Sequence, residues 1–142
     1  MGLDTEFDTA PDPVEVLAGR FARILGDPQV LALVAGERGS TDSTTGFALL
    51  TLRPTVWHDG PVAQLEELYV VPDRRGRGTG SALVADARRR LRDRGCPEVH
   101  ANVDEVDHDA RRFYERHGFV NVERESDGRI LCFVARTEAG RQ

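Results

Sequence analysis

Residues 65–84 read LEELYVVPDRRGRGTGSALV. Leu65, Leu68, Tyr69, Val70 and Val71 form an apolar-rich run of strand type, and Pro72 stops it. A turn rich in glycine and arginine follows, and a helical pattern starts at about Thr79. A strand, a glycine loop and a helix start together suit an anion. The helix N-terminus offers unpaired backbone N–H groups and a partial positive charge. Glycine at 76, 78 and 80 removes the Cβ atoms that would hold a phosphate away. A solvated turn has the same composition, so the stretch needs a second signal to decide it. A P-loop is excluded: it needs lysine after its last glycine, and all 19 basic residues of this chain are arginine. The dinucleotide fingerprint is excluded as well, because the glycines run GxGxG and Leu83 stands where a third spaced glycine would fall. What remains is Arg75-x-x-Gly78-x-Gly80 after a strand ending Val-Val-Pro.

At 142 residues the length predicts a single domain over 1–142. Hydrophobic residues at 39% and charged residues at 30% fit a globular chain without a membrane span. The acidic start MGLDTEFDTAPDP lacks the basic and apolar regions of a signal peptide, so a cytoplasmic location is expected. Residues 1–11 read as frayed. Cys96 and Cys132 stand far apart without neighbouring ligands and read as two buried thiols rather than a disulfide or a metal site. His58, His100, His108 and His117 are scattered, so no metal is expected. The net charge of −5, with arginines crowded between 74 and 94, does not suit duplex DNA. It suits local capture of a polyanion and, elsewhere, a cationic partner.

Outward from the central stretch, Asp12-Pro13-x-Glu15 reads as a helix start, and Val14, Leu17, Phe21, Ile24 and Leu25 continue it at helical spacing. Strands are predicted over 30–35, 46–53 and 62–71, the last two joined antiparallel through the turn at 54–61. The helix from about Thr79 to Arg94 turns Leu83, Val84, Ala87 and Leu91 inward and a set of arginines to solvent. Val99, Ala101 and Val103 alternate as a strand, and the crossover helix before them implies a parallel pair. Asp107 caps a short helix ending at Gly118, and residues 119–125 and 129–136 read as a terminal hairpin. The expectation is a mixed α/β fold of about six strands and about three helices with a central parallel pair.

The short helix supplies the second signal. Asp107-His108-Asp109-Ala110-Arg111-Arg112-Phe113-Tyr114-Glu115-Arg116-His117-Gly118-Phe119 resembles N-x-x-A-x-x-(F/L)-Y-E-x-x-G-F of the GNAT N-acetyltransferases. The earlier loop is similar to that family's acetyl-CoA loop, R/Q-x-x-G-x-G/A, in the matching order. The resemblance covers residues 30–136. Two departures stand out: Asp107 replaces the usual Asn, and the N-terminal region is short, with only Leu3 and Phe7 hinting at a first strand.

The resemblance implies acetyl-CoA as co-substrate. Its pantetheine would run along the backbone of Leu68, Tyr69, Val70 and Val71, with Asp107 and Tyr114 beside it. Its pyrophosphate would lie against Arg74, Arg75, Gly76, Arg77, Gly78, Thr79, Gly80 and Ser81. Tyr114 is the expected acid for the departing thiolate, against a plain reading as a packed helix aromatic. Glu66 or Glu67 is the expected base, against a reading as a solvated carboxylate, and strand alternation places them on opposite faces. Trp57 and His58 are weighed as lining of the acceptor mouth. The implied activity is acetyl transfer to a primary amine of a small molecule. Acetylation of a protein lysine or N-terminus, or non-catalytic acyl-CoA sensing, compete with it. Tyr114 argues against the sensor, and the acidic pair favours a free amine. Family members often dimerise, so the resemblance leaves a homodimer open, and the residues themselves do not report the oligomeric state.

Overall fold

The computed structural model describes residues 13–37 and 44–137, and two compact units divide between Val103 and Asp104. In the first unit, α1 (Val14–Ile24) leads into β1 (Val30–Gly36), β2 (Thr44–Arg53) and β3 (Val62–Val70). Next come α2 (Thr79–Asp93) and β4 (Val99–Ala101). The sheet order is β1-β2-β3-β4, antiparallel except for the parallel β3–β4 pair that the crossover helix demands.

One sheet face is the core. Leu31 and Leu33 of β1, Ala48, Leu50 and Leu52 of β2, and Ala63, Leu65, Leu68 and Val70 of β3 are buried on it. Leu83, Val84, Ala87 and Leu91 form the buried stripe of α2, which packs on β1, β2 and β3. The other helix face is solvated, and Asp86 pairs there with Arg89 and Arg90. On the opposite sheet face Phe21 of α1 meets Phe47 edge-on at 5.9 Å, and Phe47 lies 6.0 Å from Tyr69. Pro13 occupies the α1 cap without a side-chain bond; the Asp12 cap, the frayed 1–11 segment and a first strand near Leu3 and Phe7 lie outside the described residues.

The second unit holds α3 (His108–Arg116). Asp107 caps it as expected, its Oδ1 accepting from the Ala110 N–H at 3.1 Å. The helix closes through Gly118 at φ 84°, with the Phe119 N–H donating to the Tyr114 carbonyl at 3.0 Å.

The sheet has four described strands rather than about six. Residues 119–125 and 129–136 do not form the expected ladder. They share a bond from the Ile130 N–H to the Asn121 carbonyl, while Glu125–Asp127 coil into a 3₁₀ turn. Phe133 and Val134 are 89% and 87% exposed, so this apolar alternation has no packed face beneath it, and an isolated two-stranded hairpin is marginal. The same segment leaves Cys132 exposed; Cys96 is half-buried, so neither thiol is the buried core residue expected, and neither forms a disulfide.

Candidate active site

The site begins with an irregularity in β3. Glu67 pairs with Leu49 and Leu65 with Leu50, so Glu66 is an extra residue, a β-bulge. β4 accompanies β3 only from Ala63↔Val99 to Leu65↔Ala101. Beyond the bulge β3 has no strand beside it on that side among the described residues, and the Val70 carbonyl there accepts from Arg75 Nε. The Ala63 N–H donates to the Glu98 carbonyl, so Ala63 and Leu65 address β4; the Val71 N–H donates to Thr45 across β2 at 2.8 Å, so Tyr69 and Val71 address β2. Leu68 and Val70 therefore turn their N–H and C=O groups to the edge that β4 does not reach. Such an edge accepts a peptide-like chain.

That edge leads into the glycine loop. Residues 72–74 form one 3₁₀ turn, Gly76 and Gly78 hold φ 77° and 85°, and Gly78 is the N-cap of α2 without any side-chain bond. A Cβ at Gly76 or Gly78 would meet nothing within 4 Å. The first intrahelical bond runs from the Ala82 N–H to the Gly78 carbonyl, and no acidic residue occupies the first turn. The loop thus offers open N–H groups, positive dipole and empty space, which fits a pyrophosphate.

Two of the three arginines expected at the phosphate are already engaged. Arg74 pairs with Glu37 at 2.6 Å. Arg75 Nε donates to the Val70 carbonyl at 2.8 Å, and its guanidinium lies 5.5 Å over the Tyr69 ring. Arg77 makes no ion pair among the described residues.

Glu66 and Glu67 do not fall on opposite faces, because the bulge breaks the alternation. Glu67 stands opposite Leu49, on the face shared by Phe47, Leu49 and Thr51. Glu66 accepts from the hydroxyl of Thr51, on that same face, at 2.6 Å. Thr51 was not expected from sequence. The bulge left no signal in the sequence: Leu65 and Leu68 share the core face only through the extra residue, and Val62 and Leu49 on the other face are buried as well.

In the second unit Tyr114 is half-buried on α3, its ring 5.3 Å from Phe113 and 5.2 Å from Phe119, both edge-on. Buried Ala110 and Phe113 fix the helix face on which it stands.

Trp57 and His58 do not join the loop. They occupy the turn at the N-terminal end of β3, whereas the loop follows its C-terminal end, and Trp57 is 83% exposed. His58 belongs instead to a surface group: Glu98 lies 2.9 Å from His100 and 3.5 Å from His58, and His100 faces Arg53 at 3.4 Å. The hydrogen bond from His100, more than the partial burial that opposes it, holds the Glu98 carboxyl below the usual range. Burial raises the Cys96 thiol, against the opposing charge of Arg94. Among the described residues no cluster of His, Cys, Asp and Glu could hold a metal, and no helix is long and apolar enough to cross a membrane.

An open strand edge entering an uncapped glycine helix start, followed by a second motif that carries a tyrosine, defines an acetyltransferase of the GNAT class. The chain belongs to the acetyltransferase (GNAT) family, whose model matches residues 3–119, and members of that family use acetyl-CoA. It is similar to an aminoglycoside N(6′)-acetyltransferase type 1 of Klebsiella aerogenes, at 32% identity over 121 residues, 84% of this chain and 72% of the relative. A crystal structure of a proposed acetyltransferase from Arthrobacter sp. FB24 superposes with a TM-score of 0.79 at 43% identity, covering 93% of this chain and 81% of that one. AAC(6′)-Iy, solved with a CoA bisubstrate analogue, superposes at 0.69 over 92% and 83% of the two chains; at 22% identity it shows the fold alone.

Proposed function

We propose that this N-acetyltransferase moves the acetyl group of acetyl-CoA to a primary amine of a small cationic molecule, as one catalytic domain working in the cytoplasm. The observation that carries the reading is the β3 bulge. It turns Glu66 and Glu67 to one face of the strand whose free edge runs into the glycine loop. Two carboxylates on one face favour an acceptor with more than one ammonium. The aminoglycoside acetyltransferase relative acts on a molecule of that kind.

Acetyl-CoA supplies the activated thioester. In this reading the backbone of Leu68 and Val70 holds its amide-bearing arm. The N–H groups of Gly76 to Ser81 hold its pyrophosphate, joined by Arg77 and by whichever of Arg74 and Arg75 exchanges its present partner for phosphate. Asp107 fixes the start of α3. An ammonium (lysine-like pKa about 10.4) must lose a proton before it attacks, and a carboxylate of the bulge takes it. Tyr114 returns a proton to the departing sulfur. No step needs a metal, a nucleic acid or a membrane.

The test is a panel of diamines, aminoglycosides, amino acids and peptides assayed by release of free CoA. The proposal expects the highest kcat/KM with a multiply charged small amine. Turnover restricted to peptides would assign the chain to protein acetylation. Tight acetyl-CoA binding without turnover on any amine would make it a sensor.

A further inference from the structure

Two adjacent arginines, Arg74 and Arg75, stand where β3 passes into the glycine loop, and each already has a partner. We infer that Arg75 is a positioning residue, fixed to the last carbonyl of the open β3 edge, and that Arg74 is the arginine released to the pyrophosphate. This rests on the reading that the glycine loop holds acetyl-CoA.

The two side chains make contacts of different kinds. Arg74 meets the carboxylate of Glu37, and both groups are more than a third exposed. An ion pair in that setting is worth little and is screened by salt, so a pyrophosphate replaces it readily. Arg75 reaches back along its own chain. Its Nε bonds the Val70 carbonyl, and its guanidinium lies over the Tyr69 ring, a second favourable contact. Val70 is 2% exposed, and its carbonyl faces the side of β3 that neither β2 nor β4 fills there. Removing the guanidinium would take from that carbonyl its donor among the described residues. Arg75 is thus held at two points, and Arg74 by one exposed pair.

The Arg75 bond also ties the strand to the loop. It closes residues 70–75 around the 3₁₀ turn Pro72–Arg74, directly before the left-handed Gly76 and Gly78 and a helix start without a side-chain cap. With the Val70 carbonyl occupied, Leu68 and the Val70 N–H are the edge left for a peptide-like arm. Arg75 in this way sets the spacing between the edge and the phosphate loop.

Side-chain chemistry separates the two roles. Gln carries Nε2 as many bonds from Cα as Arg carries Nε, so Arg75→Gln keeps a donor for Val70 and loses the charge. Arg75→Met keeps the reach and loses both. Arg74→Gln removes the charge proposed for phosphate. The readouts are calorimetric titration with acetyl-CoA at low and high salt, and a melting curve of each free protein. Arg74→Gln is expected to bind at least about tenfold more weakly, with a shallower salt dependence and the wild-type midpoint. Arg75→Gln is expected to stay within about threefold of wild type and to keep its salt dependence. Arg75→Met is expected to melt a few degrees lower and to bind at least about tenfold more weakly, again with the wild-type salt dependence.

If Arg75→Gln binds as weakly as Arg75→Met and both lose salt dependence, Arg75 is itself a phosphate ligand and the positioning role falls. Wild-type affinity for Arg75→Met overturns that role as well, whatever its midpoint. Wild-type affinity and salt dependence for Arg74→Gln overturn the exchange. Each of these results leaves the proposed function standing, because the wild type still binds acetyl-CoA. A wild type that binds none overturns the loop reading and the proposed function with it.

Discussion

Gly78→Ala separates what the loop costs the fold from what it gives the ligand. The new methyl enters a space with no atom within 4 Å, so it clashes with nothing in the protein. Its price is the left-handed backbone at φ 85°, about 1–2 kcal/mol for a residue with a Cβ. A matched control lies at the other end of the same helix. Gly95 holds φ 76° and its Cβ would also meet nothing within 4 Å. The 15 residues of α2 put it roughly 22 Å away. Both variants should therefore lose similar stability, a midpoint shift of roughly 2–8 °C. In the proposed reading only Gly78→Ala places a methyl where pyrophosphate would meet the helix start, and its affinity for acetyl-CoA should fall at least tenfold, about 1.4 kcal/mol. Calorimetric titration of the three proteins decides it. Equal affinities in all three would remove the phosphate from this loop, and equal losses in both variants would show that only global destabilisation had been measured.

Tyr114→Phe should lower kcat by about a hundredfold, the low end of general-acid help since a thiolate leaves readily, with little change in acetyl-CoA affinity; full turnover would make Tyr114 a packing residue. Gly60→Ala should destabilise by about 1–3 kcal/mol in a melt without altering acetyl-CoA affinity, since its Cβ would stand 1.9 Å from the backbone oxygen of Gly95. Asp107→Ala should cost about 1 kcal/mol through loss of the cap to Ala110, whereas Asp107→Asn should keep it, as melting curves can show. Glu98 has a depressed carboxyl in the folded chain, so its contribution is present above the ordinary glutamate range and is lost as pH falls through the folded value. Because the group is exposed, Glu98→Gln should flatten the acid limb of the midpoint–pH curve by only a few tenths of a kcal/mol.

The elements legible in sequence were those whose signals are local. The 3.6-residue stripe of Leu83, Val84, Ala87 and Leu91, the Gly95 stop and the Asp107 cap each act within one or two turns of their own helix. The structure places all of them where the pattern does. What escaped depends on partners far along the chain. Whether residues 119–136 form strands depends on a neighbouring face to bury Phe133 and Val134, and no periodicity reports that. The loop arginines read as ligands because composition shows their charge but not that Glu37 and the Val70 carbonyl claim them. Thr51 carries no motif, and it matters only because the register of β2 against a bulged β3 brings its hydroxyl to Glu66.

The open run of β3 has a consequence for how the enzyme breathes. The Leu68 and Val70 amides point away from β2, into the edge that β4 leaves after Ala101. In the proposed reading an acetyl-CoA arm lying along that edge would act as a missing strand delivered by the substrate, finishing the sheet only while it stays. Exchange of these two amides with solvent deuterium should then be fast in the free protein and slow in the complex. The Tyr69 and Val71 amides, turned toward β2, should not change. The fold itself becomes a reporter of the acetyl donor, since a hundredfold excess over Kd adds about 2.7 kcal/mol to its stability. A cell short of acetyl-CoA would hold a looser and more readily degraded enzyme before it held a slower one.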